Sequence, residues 1–211
     1  MGEKRQQDRI RYNKSNILET AKQLFTEKGI EQTTMADIAK TADYSKSTIY
    51  VYFKSKEEIY HHIILEYMIT LRNGLEECVE KYTGAIERYY GICNVLMELH
   101  DSNPLFFEGL LEKIEVSDEA MANEPVLREI HTVGEEVNMI IETFIQNGIT
   151  EKVIRSDINI IPTVFVMWAS ICENIIMAEN KKEYFMSRIQ MSKKEYLKYS
   201  FETLLQSLLI K

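Results

Sequence analysis

Apolar residues recur at helical spacing along most of the chain, and the breaks between stripes mark where helices begin and end. Ile17, Leu18, Ala21, Leu24 and Phe25 form an i, i+1, i+4, i+7, i+8 stripe that stops at Gly29. Thr34 then precedes Met35, Ile38 and Ala39, with Asp37 three residues on, a capping-type start for a short second helix. Ser45 caps a third segment, Lys46 to Phe53. Ser55 with Glu58 is an S-x-x-E capping box that opens a long helix through Ile59, Ile63, Ile64, Tyr67 and Met68. Downstream, Ile86 to His100 carries a stripe, and Asn103-Pro104 opens Leu105 to Leu111. The acidic stretch Glu112 to Pro125 reads as a loop. Val126 to Gln146 reads as a helix ending at Asn147-Gly148, and Asn159 with Pro162 opens an apolar helix ending near Ala178. Ser192 and Glu195, another capping box, open a helix through Leu197, Phe201, Leu204, Leu205, Leu208 and Leu209.

One segment opposes this pattern. Thr48-Ile49-Tyr50-Val51-Tyr52-Phe53 is β-branched and aromatic throughout, and local propensity favours a strand. No neighbouring segment offers a partner strand, and a lone strand leaves its backbone groups unpaired. The segment is therefore expected to be a short helix. The sequence predicts an all-α protein of about nine helices: a three-helix helix-turn-helix head (residues 1–55, with an N-terminal arm) followed by a helical bundle (residues 56–211).

Composition supports this class. Gly (8) and Pro (3) are scarce in 211 residues, which disfavours turn-rich β architectures. Three cysteines, Cys78, Cys93 and Cys172, are an odd number without metal-ligand spacing, as expected of a reducing compartment. The charged N-terminus lacks the apolar core of a signal peptide. The run Ile158 to Met177 is about long enough to cross a bilayer but contains Asn159, Pro162, Glu173 and Asn174, so a buried helix is the better reading. A cytoplasmic protein with no membrane partner is expected.

Charge changes the picture at one end. The net charge is −8, yet residues 1–56 carry 11 Lys and Arg against seven acidic residues, a net of +4 that leaves −12 on the remainder. A basic head on an acidic body suits a polyanionic partner for the head alone.

The head also has the spacing to use such a partner. Two short helices joined by a few residues over 34–53 match a helix-turn-helix, whose second helix enters the major groove. That helix would expose Lys46, Ser47, Thr48 and Tyr50. The hydroxyls of Ser45, Ser47 and Thr48 suit phosphates or base edges, and Lys46 suits phosphate or guanine. Helix starts at Thr34 and Ser55 would aim backbone N–H groups at phosphate.

Ile17-Leu18-x-x-Ala21-x-x-Leu24-Phe25-x-x-x-Gly29-x-x-x-Thr33-Thr34-x-x-x-Ile38-Ala39-x-x-Ala42, then Ser45-x-x-Thr48-Ile49-Tyr50-x-Tyr52-Phe53-x-x-Lys56-Glu57, resembles the DNA-binding head of the TetR family of bacterial transcriptional regulators. The likeness covers about residues 10–60. Asp43 and Tyr44 depart from it where a Gly-Val turn is usual, as does Ser47 where glycine is common. The resemblance implies a homodimer whose all-helical C-terminal domain binds a small-molecule inducer. It also implies that Thr33 or Thr34, Tyr50, Tyr52 and Lys56 lie at phosphates, with Lys46, Ser47 and Thr48 nearest the bases. The Lys4 to Lys14 arm either adds groove or phosphate contacts or is a solvated tail. Tyr50 and Phe53 also have a packing role open to them, favoured for Phe53.

The rest of the chain offers weaker signals. Ligand pockets are mostly apolar with a few orienting polar groups, which makes His100, His131, Trp168 and Glu173 pocket candidates, with Phe107 as a possible wall. Each alone is more often an ordinary core or surface residue. His61-His62 beside Glu57, Glu58 and Glu66 forms ordinary i, i+4 pairs rather than a metal site. Cys93 and Cys172 sit in apolar stripes as packing residues, and no catalytic arrangement, cofactor motif or phosphate loop is found. The helix at 160–177 is apolar on nearly all faces and the one at 193–210 carries a wide stripe, so together they are the expected dimer interface. The expected function is a repressor that leaves a palindromic DNA operator when an unknown small molecule binds. The alternatives are an activator without an inducer pocket and a helical adaptor that has lost DNA binding.

Overall fold

The computed structural model describes residues 2–111 and 117–210. Eleven helices are found among them: α1 (Gly2–Lys28), α2 (Met35–Thr41), α3 (Lys46–Tyr52), α4 (Lys56–Lys81), α5 (Ala85–Ser102), α6 (Pro104–Gly109), α7 (Asp118–Asn123), α8 (Pro125–Thr150), α9 (Ile160–Asn180), α10 (Lys182–Ile189) and α11 (Lys193–Leu208). Among the described residues the only β pairing is an isolated antiparallel bridge between Ile154 and Leu209. The protein is all-α, and the disputed Thr48–Phe53 segment is helical as far as Tyr52.

Four local expectations are corrected. The N-terminal arm is neither tail nor separate arm, because Lys4 to Lys14 are the first turns of α1. Good helix formers without an internal Gly or Pro run from Glu3 to Lys28, so nothing interrupts the helix before Gly29. There Gly29 takes φ +84 and its N–H returns to the Phe25 carbonyl at 2.8 Å. The stretch expected as a loop from Glu112 contains α7, which Ser117 caps by accepting from the Ala120 N–H; residues 112–116 lie outside the described residues. Helix α8 does not end at Asn147-Gly148 but continues to Thr150. The Gly148 carbonyl accepts from the N–H groups of Val153 and Ile154, and a Cβ on Gly148 would lie 2.5 Å from Ile154 Cδ1. Glycine at this point serves close approach rather than termination. Finally, α10 is a helix that no apolar stripe announced.

The helices pack as two units. The first holds residues through Glu66 and the segment ending at Ile130; the second runs from Tyr67 and again from His131 to the C-terminus. Both boundaries therefore fall inside helices, α4 and α8, whereas a division after residue 55 would fall just before α4.

In the first unit Ile17, Ala21, Phe25, Ile38, Ile49, Phe53, Ile59 and Ile63 are fully buried or nearly so. Two polar links hold α7 in this unit. His61 Nδ1 meets Glu124 Oε1 at 2.6 Å, and Lys54 Nζ donates to the Asn123 carbonyl at 3.1 Å. The second unit is a bundle around α5, α9 and α11, where Tyr89, Leu96, Met167, Ile171, Ile175, Phe201 and Leu205 share one buried cluster. The Tyr89 hydroxyl donates to the Phe201 carbonyl at 2.8 Å, joining α5 to α11 through the core. At its rim Lys193 bridges Asp101 (3.2 Å) and Glu179 (2.9 Å). Hydrogen bonds from Lys182 and Lys193 hold the Glu179 carboxyl down at about 2. All three cysteines are buried, and burial raises each thiol, that of Cys93 to about 12.

By length and composition α9 could cross a membrane. Its inner face is bundle core: Val164, Met167, Ile171, Cys172, Ile175 and Ala178. Its outer face exposes Ile161, Phe165, Val166 and Met177.

Candidate nucleic-acid interface

The helix-turn-helix is set by caps at each of its joints. Thr34 begins α2 with a full capping box: its hydroxyl accepts from the Asp37 N–H (3.2 Å), and its own N–H donates to Asp37 Oδ2 (3.0 Å). Hydrogen bonds from Thr34 hold the Asp37 carboxyl below its ordinary value. At the far end of α2, Asp43 takes a left-handed φ of 59, and the Tyr44 N–H returns to the Ala39 carbonyl at 2.9 Å. This is the helix-ending geometry that glycine usually serves, and aspartate is one of the residues that adopt it at modest cost. Ser45 then caps α3 by accepting from the Thr48 N–H at 3.1 Å.

Helix α3 buries one residue of its own, Ile49, and its cap residue Phe53 is buried as well. Phe53 packs edge-on against His62 and under the Lys14 ammonium, which settles it as a core residue of the head. The opposite face is exposed. It presents Ser45, Lys46, Ser47, Tyr50 and Val51, with Thr48 half-buried beside them. The Ser45 hydroxyl links Ser47 (2.8 Å) and Thr48 (2.7 Å) into a small hydroxyl cluster. Lys46 Nζ stands 6.0 Å from the Tyr50 ring centroid, leaving its charge accessible. A protruding helix bearing a cation, hydroxyls, a phenol and a methyl surface has the chemistry to meet phosphates and base edges.

Not every sequence candidate joins this face. Thr33 is corrected: it is buried, and its hydroxyl donates to the Gly29 carbonyl at 2.9 Å. It fastens the end of α1 and has no route to phosphate. Thr34 is exposed, although its N–H and hydroxyl are committed to Asp37. Lys56 is half-buried and donates to the Ile30 carbonyl at 2.8 Å, which leaves two ammonium protons for other partners. Tyr52 is half-buried and accepts from Asn13 Nδ2 at 2.8 Å.

Val51, the most exposed apolar residue of α3 at 78%, was not among the candidates. Its spacing from Ser47 was the available signal, since i and i+4 share a helix face. Asn13 carried no local signal, being 39 residues from the tyrosine it meets.

The histidine pairs also differ from expectation. His61 pairs with Glu124, His62 with the Phe53 ring, and Glu66 with Lys22 at 2.7 Å. Tertiary partners displace the expected i, i+4 pairs.

The five ligand candidates do not converge. His100 and Phe107 are buried against each other, ring centroids 5.2 Å apart. Trp168 is half-buried against the bundle core, and His131 and Glu173 are exposed. Two of the grooves in the second unit lie along α4. One, of about 380 Å³, has Val79, Met139, Ile140 and Phe144 beside Arg88 and Glu136. The other, of about 370 Å³, lies along α4 and α5 at Gly74, Cys78, Tyr82 and Gly91. None of the five candidates lines either groove.

Comparison with known proteins agrees with this geometry. The family model described as bacterial regulatory proteins, tetR family, matches residues 17–63, which span the capped helices just described. The uncharacterized HTH-type transcriptional regulator YhgD of Bacillus subtilis is 28% identical over 142 residues, 67% of this chain and 72% of that protein. The biofilm operon icaADBC HTH-type negative transcriptional regulator IcaR of Staphylococcus aureus is 41% identical over 51 residues, 24% of this chain and 27% of that protein. Among solved structures, the transcriptional regulator FadR from Bacillus subtilis in complex with stearoyl-CoA superposes with a TM-score of 0.66. It is 20% identical and covers 92% of this chain and 97% of its own. With the family's model matching residues 17–63 and the fold of solved regulators over nearly the whole length, the chain carries the helix-turn-helix head of the TetR family of bacterial regulatory proteins.

Proposed function

We propose that the chain is a cytoplasmic, homodimeric repressor that releases a palindromic operator when a small molecule binds its C-terminal unit. The observation that carries the reading is the exposed face of α3, where Lys46, Ser47, Tyr50 and Val51 stand together over a buried Ile49. Ser45 and Thr48 complete the base-proximal group, with Thr34, Tyr52 and Lys56 toward the phosphates. Dimerisation is assigned to α9 and α11. The outer face of α9 exposes Ile161, Phe165, Val166 and Met177, and α11, packed against α9, exposes Tyr199. Two such heads would read half-sites about one DNA turn (~34 Å) apart.

The sign of regulation and the effector are carried by similarity. IcaR is named a negative regulator, and FadR was solved with stearoyl-CoA bound. The buried His100–Phe107 pair and the two grooves along α4 are the places where an apolar effector with a polar end would find both kinds of contact. Such an effector releases DNA only if it binds the DNA-free state more tightly than the DNA-bound state.

Selection of bound fragments from a genomic DNA pool, then titration of the selected site across salt, tests the reading. A palindromic site whose affinity falls steeply with salt is expected. Lys46→Ala and Tyr50→Ala should each weaken binding by about ten-fold, the size of one charge-assisted contact, at unchanged thermal stability. Binding intact in both variants would refute the residue assignment. Failure of any sequence to be enriched would favour the adaptor alternative.

A further inference from the structure

The turn between α2 and α3 departs from the family pattern at Tyr44, and the departure supplies a link between α1 and α3. Asn16 Nδ2 donates to the Tyr44 hydroxyl at 3.4 Å. The Tyr44 hydroxyl donates to Asn13 Oδ1 at 3.0 Å. Asn13 Nδ2 in turn donates to the Tyr52 hydroxyl at 2.8 Å. All three donors run in one direction, from Asn16 through Tyr44 and Asn13 to Tyr52.

That direction fixes what the last hydroxyl can do. A phenol has one proton to donate, and the Tyr52 oxygen is already accepting from Asn13. Among the described residues no acceptor takes the Tyr52 proton, so it remains for an outside partner. Accepting a hydrogen bond also polarises the O–H and makes it a better donor. Tyr52 lies in the last turn of α3, half-buried toward α1, rather than on the face shared by Lys46, Ser47, Tyr50 and Val51. A donor at the flank of a reading helix meets sugar-phosphate rather than base edges.

We infer that Asn13 is a positioning residue which, backed by Tyr44, holds the Tyr52 hydroxyl as a hydrogen-bond donor to one phosphate of the operator. The inference rests on α3 being the DNA-reading helix. Asn13 touches no phosphate itself; its role is to set the orientation of the phenol and the direction of its proton.

The test uses the full chain and its selected operator fragment. Affinity is measured for the wild type, Tyr52→Phe, Asn13→Ala, the double variant and Tyr44→Phe, alongside thermal melts. Each measurement is repeated on fragments in which single phosphates are replaced by neutral methylphosphonates. Tyr52→Phe should bind about ten-fold more weakly and Asn13→Ala about five-fold, with the double variant no weaker than Tyr52→Phe alone. At one phosphate the methylphosphonate should weaken the wild type yet leave Tyr52→Phe nearly indifferent, with Asn13→Ala and Tyr44→Phe between them. A merely structural role for Asn13 would lower affinity equally at every phosphate position and would not produce that local indifference.

Losses that multiply in the double variant, or a full penalty at the same phosphate in Asn13→Ala, would overturn the inference. So would wild-type affinity in Tyr52→Phe when Lys46→Ala still weakens binding, a result that leaves the DNA-reading face standing. If Asn13→Ala unfolds, Tyr44→Phe removes the same support from the other side and decides the question. An absence of sequence-selective binding in the wild type would remove the functional reading itself, before any variant is compared.

Discussion

Asp43 places an L side chain and a negative charge at a left-handed turn beside the α3 N-terminus. Asp43→Gly should therefore act twice. Relief of the backbone should raise stability by about 1 kcal/mol, moving a melting midpoint up by ~2–4 °C. Loss of the charge should tighten operator binding, the more so at low salt. A lowered melting point would contradict the first part, and weaker operator binding the second. His62 gives a prediction in pH. Burial, reinforced by Lys14, holds its imidazole below the ordinary 6.5, against the opposing carboxylates of Glu58, Glu129 and Glu124. The unfolded chain then takes up the proton first, so this contribution is complete above about pH 6.5 and is lost as pH falls toward the lower folded-state value. Urea unfolding of wild type and His62→Gln at about pH 5.5 and about pH 7.5 should show a shallower pH dependence in the variant. Equal slopes would exclude His62 as the source. Residues of the α3 face were legible in the sequence because short-range spacing and capping set which way they point. Thr33 was not. Its partner is the carbonyl of Gly29, and only the folded turn reveals that the hydroxyl faces inward.

At the scale of elements, caps placed three of the helices. Thr34, Ser45 and Ser192 mark the starts of α2, α3 and α11, and the structure shows each side chain accepting the expected backbone N–H. Caps also resolve the strand-like Thr48–Phe53 segment: Ser45 satisfies a donor at one end, and the Phe53 N–H closes on the Ile49 carbonyl at the other. Other elements were misread, among them α7, which was expected to be a loop although Ser117 caps it. Helix α10 buries none of its residues, so no stripe betrayed it. The end of α8 was placed early because Asn147-Gly148 resembles a stop, whereas Gly148 accommodates the Ile154 side chain. Gly148→Ala should accordingly lose about 1–3 kcal/mol through overpacking. Adding Ile154→Val, which removes the Cδ1 atom nearest the new methyl, should recover part of that loss. A double variant as unstable as the sum of its parts would show that the two side chains do not meet.

For the whole molecule, the split between a basic head and an acidic body does not follow the compact units, which are not consecutive pieces of chain: the first unit also takes in Glu57, Glu58, Glu66 and the acidic segment ending at Ile130. The segment ending at Ile130 packs with the head through Glu124 and Asn123, partners that no reading of local pattern could supply. The ligand candidates were the least legible, because a pocket is made by side chains far apart in sequence. Assembly is the property most open to a direct test. Phe165→Glu places a charge on the exposed apolar face of α9 without touching its buried side. It should yield a folded monomer in sedimentation that binds a palindromic site at least ~100-fold more weakly, because the second head no longer binds as part of the same molecule. A variant that remains dimeric would move the interface elsewhere. The buried cysteines have a practical consequence for following such events. With Cys93 and Cys172 enclosed in the core, Cys78 only 5% exposed at its groove, and all three thiols raised, the native chain offers little thiolate to an alkylating reagent near neutral pH. It thus serves as its own silent background for site-directed fluorophores. A Ser47→Cys variant would carry the one exposed thiol among the described residues, on the outward face of α3.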